Sequence, residues 1–124
     1  IPLLALERRF LASLSALLKK KLGNLVESQI LFGSVARKEE DSRSDLDICL
    51  VVHKERDKEK VQALVHELSP MIRQRYGARL SPLVLSTADF SKRARRDKPP
   101  VQNIMRDGIV VSGKQLRQLT NGKR

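Results

Sequence analysis

Residues 31–52, "LFGSVARKEEDSRSDLDICLVV", decide how this chain is read. An apolar run ends at Gly33-Ser34, gives way to charge, and resumes as a second apolar run carrying Asp45 and Asp47. Carboxylates inside an apolar strand are costly unless a cation or hydrogen-bond donors offset their desolvation. Strand side chains alternate, so Asp45 and Asp47 should share one side with their Cα atoms roughly 6.5–7 Å apart. A pair so placed can converge on a divalent cation. Mg²⁺ takes few protein carboxylates and completes its shell with water and substrate phosphates, so the pair points to a metal-nucleotide site, with Mg²⁺ or Mn²⁺, rather than an all-protein cage. Gly33-Ser34 offers the second half of such a site. A glycine lets backbone approach a phosphate, amides at a helix start present a positive end, and the Ser34 hydroxyl adds a donor. Simpler readings stand beside these: a plain turn at Gly33-Ser34, Asp45 capping a turn, and Asp47 held by loop amides. Arg37 either faces phosphate or pairs with Glu40 or Asp41.

Outward from that stretch, Leu3, Leu6, Phe10, Leu14, Leu17 and Leu18 recur at helical spacing and predict an amphipathic first helix ending at Lys19-Lys20-Lys21. "SQILFGS" (28–34) reads as a buried strand stopped by glycine, Gly33 to Arg37 as a short helical turn, Lys38 to Ser44 as an exposed loop, and Leu46 to Val52 as a central strand. Val61, Leu64, Val65, Leu68 and Ile72 form the core-facing stripe of a second long helix, which Pro70 should kink, or restart with Ser69 as cap. "ARLSPLVLS" (78–86) predicts a third strand near an edge, since Pro82 cannot donate to a ladder. Ser86 or Thr87 should cap a helix to about Arg96. Past Pro99-Pro100, a segment over 101–106 and a turn at Asp107-Gly108 lead to the short strand "IVVSG" and a last helical turn. The order predicts an α/β (α+β) sandwich with a small mixed sheet in a single domain over 1–124. A chain opening on Ile1 rather than Met reads as a fragment or a processed form, and a missing preceding segment is the corresponding expectation.

The net charge is +11, yet five of the fourteen acids (Glu39, Glu40, Asp41, Asp45 and Asp47) fall within nine residues. An acidic spot in a basic body suits a metal-bound polyanion. The basic clusters at Lys19 to Lys21 and "KRARRDK" (92–98) read as solvated surface or as attraction for nucleic acid or an acidic protein. Aromatic residues are few and not interleaved with the basic ones, which argues against base-stacking platforms. No apolar run reaches the roughly 20 residues of a membrane span and no signal-peptide pattern opens the chain, so a cytoplasmic protein is expected. The lone Cys49, among apolar neighbours, reads as a small buried thiol, and His53 and His66 as structural or solvated.

"GSVAR" followed by "SDLDICLVV" resembles the signature of the minimal, MNT-type nucleotidyltransferases of the DNA polymerase β superfamily. "YGARLSPLVLS" and "RDGIVVSGK" resemble the corresponding later segments, so the likeness spans about Leu3 to Leu119. The resemblance implies that Gly33 and Ser34 hold the triphosphate of an NTP, ATP being the expected one, with Arg37 as a further phosphate contact. Asp45 and Asp47 would bind two divalent cations, and a nucleoside monophosphate would pass to a hydroxyl of a protein or other acceptor. It further implies a HEPN-domain protein partner in a toxin–antitoxin pair. The sequence departs from the pattern twice. Lys38 stands where the family often has glycine. Ser81 stands where active members carry a third carboxylate, and a serine is a poor base and a weak Mg²⁺ ligand. Asp41 or Asp89 could substitute from a loop. The alternative implied by Ser81 is a catalytically weakened metal-nucleotide-binding regulatory module, such as one half of a DNA-binding regulator.

Overall fold

The computed structural model describes residues 3–33 and 45–120, with side chains from Arg8 onward in the first segment. Ser34, Arg37, Lys38 and Asp41 therefore lie outside the described residues. Helix α1 (Leu3–Leu22) leads through a 3-10 turn (Gly23–Leu25) to β1 (Val26–Phe32). Then follow β2 (Asp45–Val52), a 3-10 turn (Glu55–Asp57), α2 (Lys58–Tyr76), β3 (Arg79–Ser86), α3 (Thr87–Arg95), α4 (Val101–Asp107), β4 (Ile109–Gly113) and α5 (Leu116–Thr120).

The strands form one four-stranded mixed sheet in the order β3-β2-β1-β4. β1 is antiparallel to both neighbours, while β2 and β3 run parallel because α2 carries the chain back over the sheet. Strand alternation splits the apolar side chains into two layers. Leu46, Ile48, Leu50 and Val52 of β2 meet Leu14, Leu18 and Leu22 of α1 and Val61, Val65 and Ile72 of α2 on one face. On the other, Cys49 and Val51 meet Ile30, Leu85, Phe90, Val101, Ile104 and Leu119, from β1, β3, α3, α4 and α5. Burial on both faces explains why β2 reads as a continuous apolar run. Burial also pushes the Cys49 thiol up to about 12, so it is an inert core group.

Two sequence expectations resolve at α2 and β3. α2 runs unbroken through Pro70, and Ser69 is not a cap; its hydroxyl donates to the carbonyl of Val65 at 3.0 Å. A helix-interior proline costs about 3 kcal/mol. The helix persists because Val61, Val65 and Ile72, on both sides of it, are fully buried, and Pro70 itself is exposed. Gly77 ends α2 in the left-handed region at φ 69°, its amide donating to Arg73 O at 2.9 Å. β3 lies at the sheet edge, as Pro82 requires. Ser86 caps α3, its hydroxyl accepting from the Asp89 amide at 3.1 Å.

A carboxylate with no counterpart in the sequence reading closes the far end of the sheet. The register of β1 against β2 slips between Val26 and Ser28, so Glu27 is the extra residue of a bulge. Its side chain is only 6% exposed and meets Lys114 Nζ at 2.9 Å and His53 Nδ1 at 3.6 Å. The Thr87 hydroxyl donates to its Oε2. Three separate segments thus converge on the carboxylate that β1 carries, and the Lys114 amide also donates to the Glu27 carbonyl at 3.0 Å.

Candidate active site

At the opposite end of β2, alternation puts Asp45 and Asp47 on the face shared with Cys49 and Val51, at the end where β2 begins. Asp45 is exposed and Asp47 half-buried. Asp47 stands opposite Phe32 on β1 and opposite Ser81 on β3. Ser81 is thus the residue that the parallel register sets beside the candidate metal ligand, and it is neutral. Asp45 stands opposite Arg79, whose Nε is 3.9 Å from Asp45 Oδ1; both side chains are more than half exposed, so the pair contributes little stability.

Gly33 completes the described part of the site. It follows β1 directly with φ 74°, a conformation that costs an L-residue about 1–2 kcal/mol. The space a Cβ would need there is taken by the Asp47 carboxylate. Glycine is therefore required for two separate reasons, backbone conformation and close approach. A Gly33→Ala protein should lose about 1–2 kcal/mol in urea unfolding. Metal-dependent nucleotide binding should fall further than that stability loss accounts for, because the methyl group displaces the Asp47 carboxylate. Wild-type nucleotide affinity in the alanine protein would contradict this geometry.

The donor set is entirely oxygen, with two carboxylates on one face and a hydroxyl in register beside them, and suits a hard divalent cation. Among the described residues no third His, Cys, Asp or Glu joins them. Asp89, the described candidate for a substitute acid, sits in the first turn of α3 with its carboxylate 3.4 Å from Arg93 Nε. Asp41, Ser34 and Arg37 lie outside the described residues. Sequence reasoning missed Arg79. The one available signal was its place two residues before Ser81, mirroring the spacing of Asp45 and Asp47.

A family model described as "Polymerase beta, Nucleotidyltransferase" matches residues 13–116. The chain belongs to this nucleotidyltransferase family. It is thus a transferase domain with the family's α+β fold. Members of the family generally use an NTP and a divalent metal. No curated protein matches the sequence. Among solved structures, this nucleotidyltransferase chain is similar to a toxin–antitoxin crystal structure with AMP-PNP, at TM-score 0.52 and 13% identity over 88% of this chain and 80% of that one. It is likewise similar to a mutant of the toxin–antitoxin pair MntA–HpeT, at TM-score 0.53 and 12% identity over 88% and 80% of the two chains. At such identity the likeness is one of fold. Among the described residues no helix is long and apolar enough to cross a membrane.

Proposed function

We propose that this nucleotidyltransferase moves a nucleoside monophosphate from an NTP, ATP in the first instance, to a hydroxyl of a partner protein, with cleavage of the α–β phosphoanhydride bond and release of pyrophosphate, as the antitoxin of a toxin–antitoxin pair whose toxin is a HEPN-domain protein. The observation that carries the reading is the placement of Gly33 hard against the Asp47 carboxylate, with Asp45 on the same face. Phosphate clamp and metal ligands are then one contiguous surface. Asp45 and Asp47 would hold Mg²⁺, which when bound neutralises charge on the triphosphate and on the group being transferred. Gly33 admits the phosphates close to the backbone, and Ser34 and Arg37, which follow it in the chain, supply donors. Arg79, beside Asp45, supplies a cation at the β3 side of the pair. The proposal of a toxin–antitoxin role rests on the solved neighbours. One of those structures carries Asp→Glu changes at two aspartates separated by a single residue, the spacing of Asp45 and Asp47.

The deciding experiment incubates the protein with labelled ATP, Mg²⁺ and a co-expressed partner and follows label on the partner. Transfer of label to a hydroxyl side chain is expected. Nucleotide binding that depends on metal and on both aspartates, but with no transfer to any acceptor, would replace this reading with a weakened nucleotide-binding module. The neutral Ser81 beside Asp47 is the observation favouring that second reading.

The role of the position beside Asp47 is tested by Ser81→Asp. A carboxylate in register with Asp47 adds a metal ligand and a base for the attacking hydroxyl. A positioned base contributes about 10²–10⁴-fold, so transfer should rise by on the order of 10²-fold in single-turnover assays. An unchanged rate would mean that the site does not use a third carboxylate at this position.

A further inference from the structure

A concavity of about 370 Å³ lies along α3 and the turn after it, lined by Asp89, Lys92, Arg93, Arg96, Lys98 and Pro99. It shares no residue with the Gly33, Asp45 and Asp47 site. Four of its six lining residues are cations and one is an acid, whose carboxylate is already 3.4 Å from Arg93 Nε. Among the described residues, no acid pairs with Lys92, Arg96 or Lys98. Asp97 lies in the same turn, but its carboxylate accepts from Gln102 at 3.2 Å.

The helix C-terminus accounts for part of this charge, because cations in a last turn are stabilised by the macrodipole. It does not account for Lys98, which lies beyond the helix. Nor does it explain why Lys92, Arg96 and Lys98, although exposed, border one shared hollow. The backbone holds that hollow in shape: the Arg96 and Lys98 amides donate to the carbonyls of Lys92 and Arg93, each at 3.1 Å.

We propose that this concavity is an anion site for the phosphodiester backbone of a polynucleotide. Guanidinium forks match phosphate geometry, and the overall charge of +11 would steer a polyanion toward it. Protein interfaces draw their affinity from buried aromatic and aliphatic anchors. Among the described residues, Pro99 is the only apolar one lining this hollow, and no aromatic residue does so. Binding is therefore carried by charge and is tolerant of base sequence, with a steep salt dependence.

The test is fluorescence anisotropy of a labelled single-stranded RNA of about 20 nucleotides, titrated with the full chain at several salt concentrations. Lys92, Arg96 and Lys98 are exposed, so the triple change Lys92→Ala, Arg96→Ala and Lys98→Ala should leave the melting temperature unaltered. For single strands each phosphate contact contributes about 0.7 to the slope of log affinity against log salt, so the triple change should lower that slope by about 2 and weaken low-salt binding by about 10- to 100-fold. The charge-matched control changes Lys19, Lys20 and Lys21, exposed at the end of α1, to alanine and should lose much less. Equal losses in the two triples would overturn the proposal, because net charge alone would then explain binding. An unaltered slope in the first triple would overturn it as well. Equal competition by a polyglutamate peptide of matched charge would make the ligand an acidic protein, and full competition by millimolar inorganic phosphate would reduce the site to a small-anion pocket. Either result would also overturn it.

Discussion

Asp47→Ala is expected to abolish nucleotidyl transfer, lowering the rate by more than about 100-fold. Changes in residues that merely support a metal ligand already cost about 10- to 100-fold, and the proposed function makes Asp47 a ligand itself. Its effect should exceed that of Asp45→Ala. Asp47 is half-buried, flanked by Phe32 and Ser81, and pressed against Gly33, whereas Asp45 is exposed and already near a cation, Arg79. The isosteric Asp47→Asn protein separates charge from shape: it should fold as wild type, and transfer should remain lost. The measurement is single-turnover label transfer from ATP with Mg²⁺, paired with a thermal melt of each variant. Transfer that survives the double change of Asp45 and Asp47 to alanine would remove both as ligands.

At the other end of the sheet, Glu27→Ala is expected to cost about 2 kcal/mol of stability without altering the nucleotide site. The carboxylate is buried at the β1 bulge and serves Lys114 and Thr87 at once, with His53 beside it. Removing it leaves the Lys114 ammonium without its counter-charge and the Thr87 hydroxyl with only the Val52 carbonyl, 3.3 Å away; losing buried polar partners typically costs about 1–3 kcal/mol. Lys114 is half exposed, so water recovers part of its loss and the extreme values for fully buried ion pairs do not apply. For a chain of this size 2 kcal/mol corresponds to a fall of roughly 6–10 °C in Tm. Glu27→Gln, which keeps an acceptor for the Thr87 hydroxyl, should lose about half as much. Lys114→Ala should lose less than either. A Glu27→Ala protein melting within about 2 °C of wild type would show that the four segments are held by apolar packing alone.

The Glu27 cluster marks where sequence reading ends. Strand β2 was legible because apolar residues on both faces make an uninterrupted run, and α2 because Val61, Val65 and Ile72 repeat at helical spacing. Both are local signals, set by the period of the backbone. Glu27 sends no such signal. It is one polar residue ahead of an apolar strand, and only the bulge turns it inward among partners far along the chain, at 53, 87 and 114. Pro70 shows the reverse failure. Of the kink or restart that the local rule predicts, the restart does not occur, because packing on both sides of the proline keeps the helix continuous.

At the candidate site the division is similar. Gly33 and the Asp45/Asp47 pair were readable because all three lie on one short stretch whose spacing fixes their side of the strand. The described elements, their order, the alternation that pairs the two aspartates and the resemblance to the family could all be read from the sequence. Tertiary structure alone decided what stands beside them: Ser81 in register with Asp47, Arg79 against Asp45, and Gly33 packed on the Asp47 carboxylate. Leu80 and Val84 of β3 share one buried cluster with Leu46, Ile48 and Leu50 of β2 and with Val61, Val65 and Ile72 of α2, so β3 is seated beside β2 through packing under the intervening helix. A contact fixed by the packing of residues so far apart in the chain leaves no periodic trace in the chain itself.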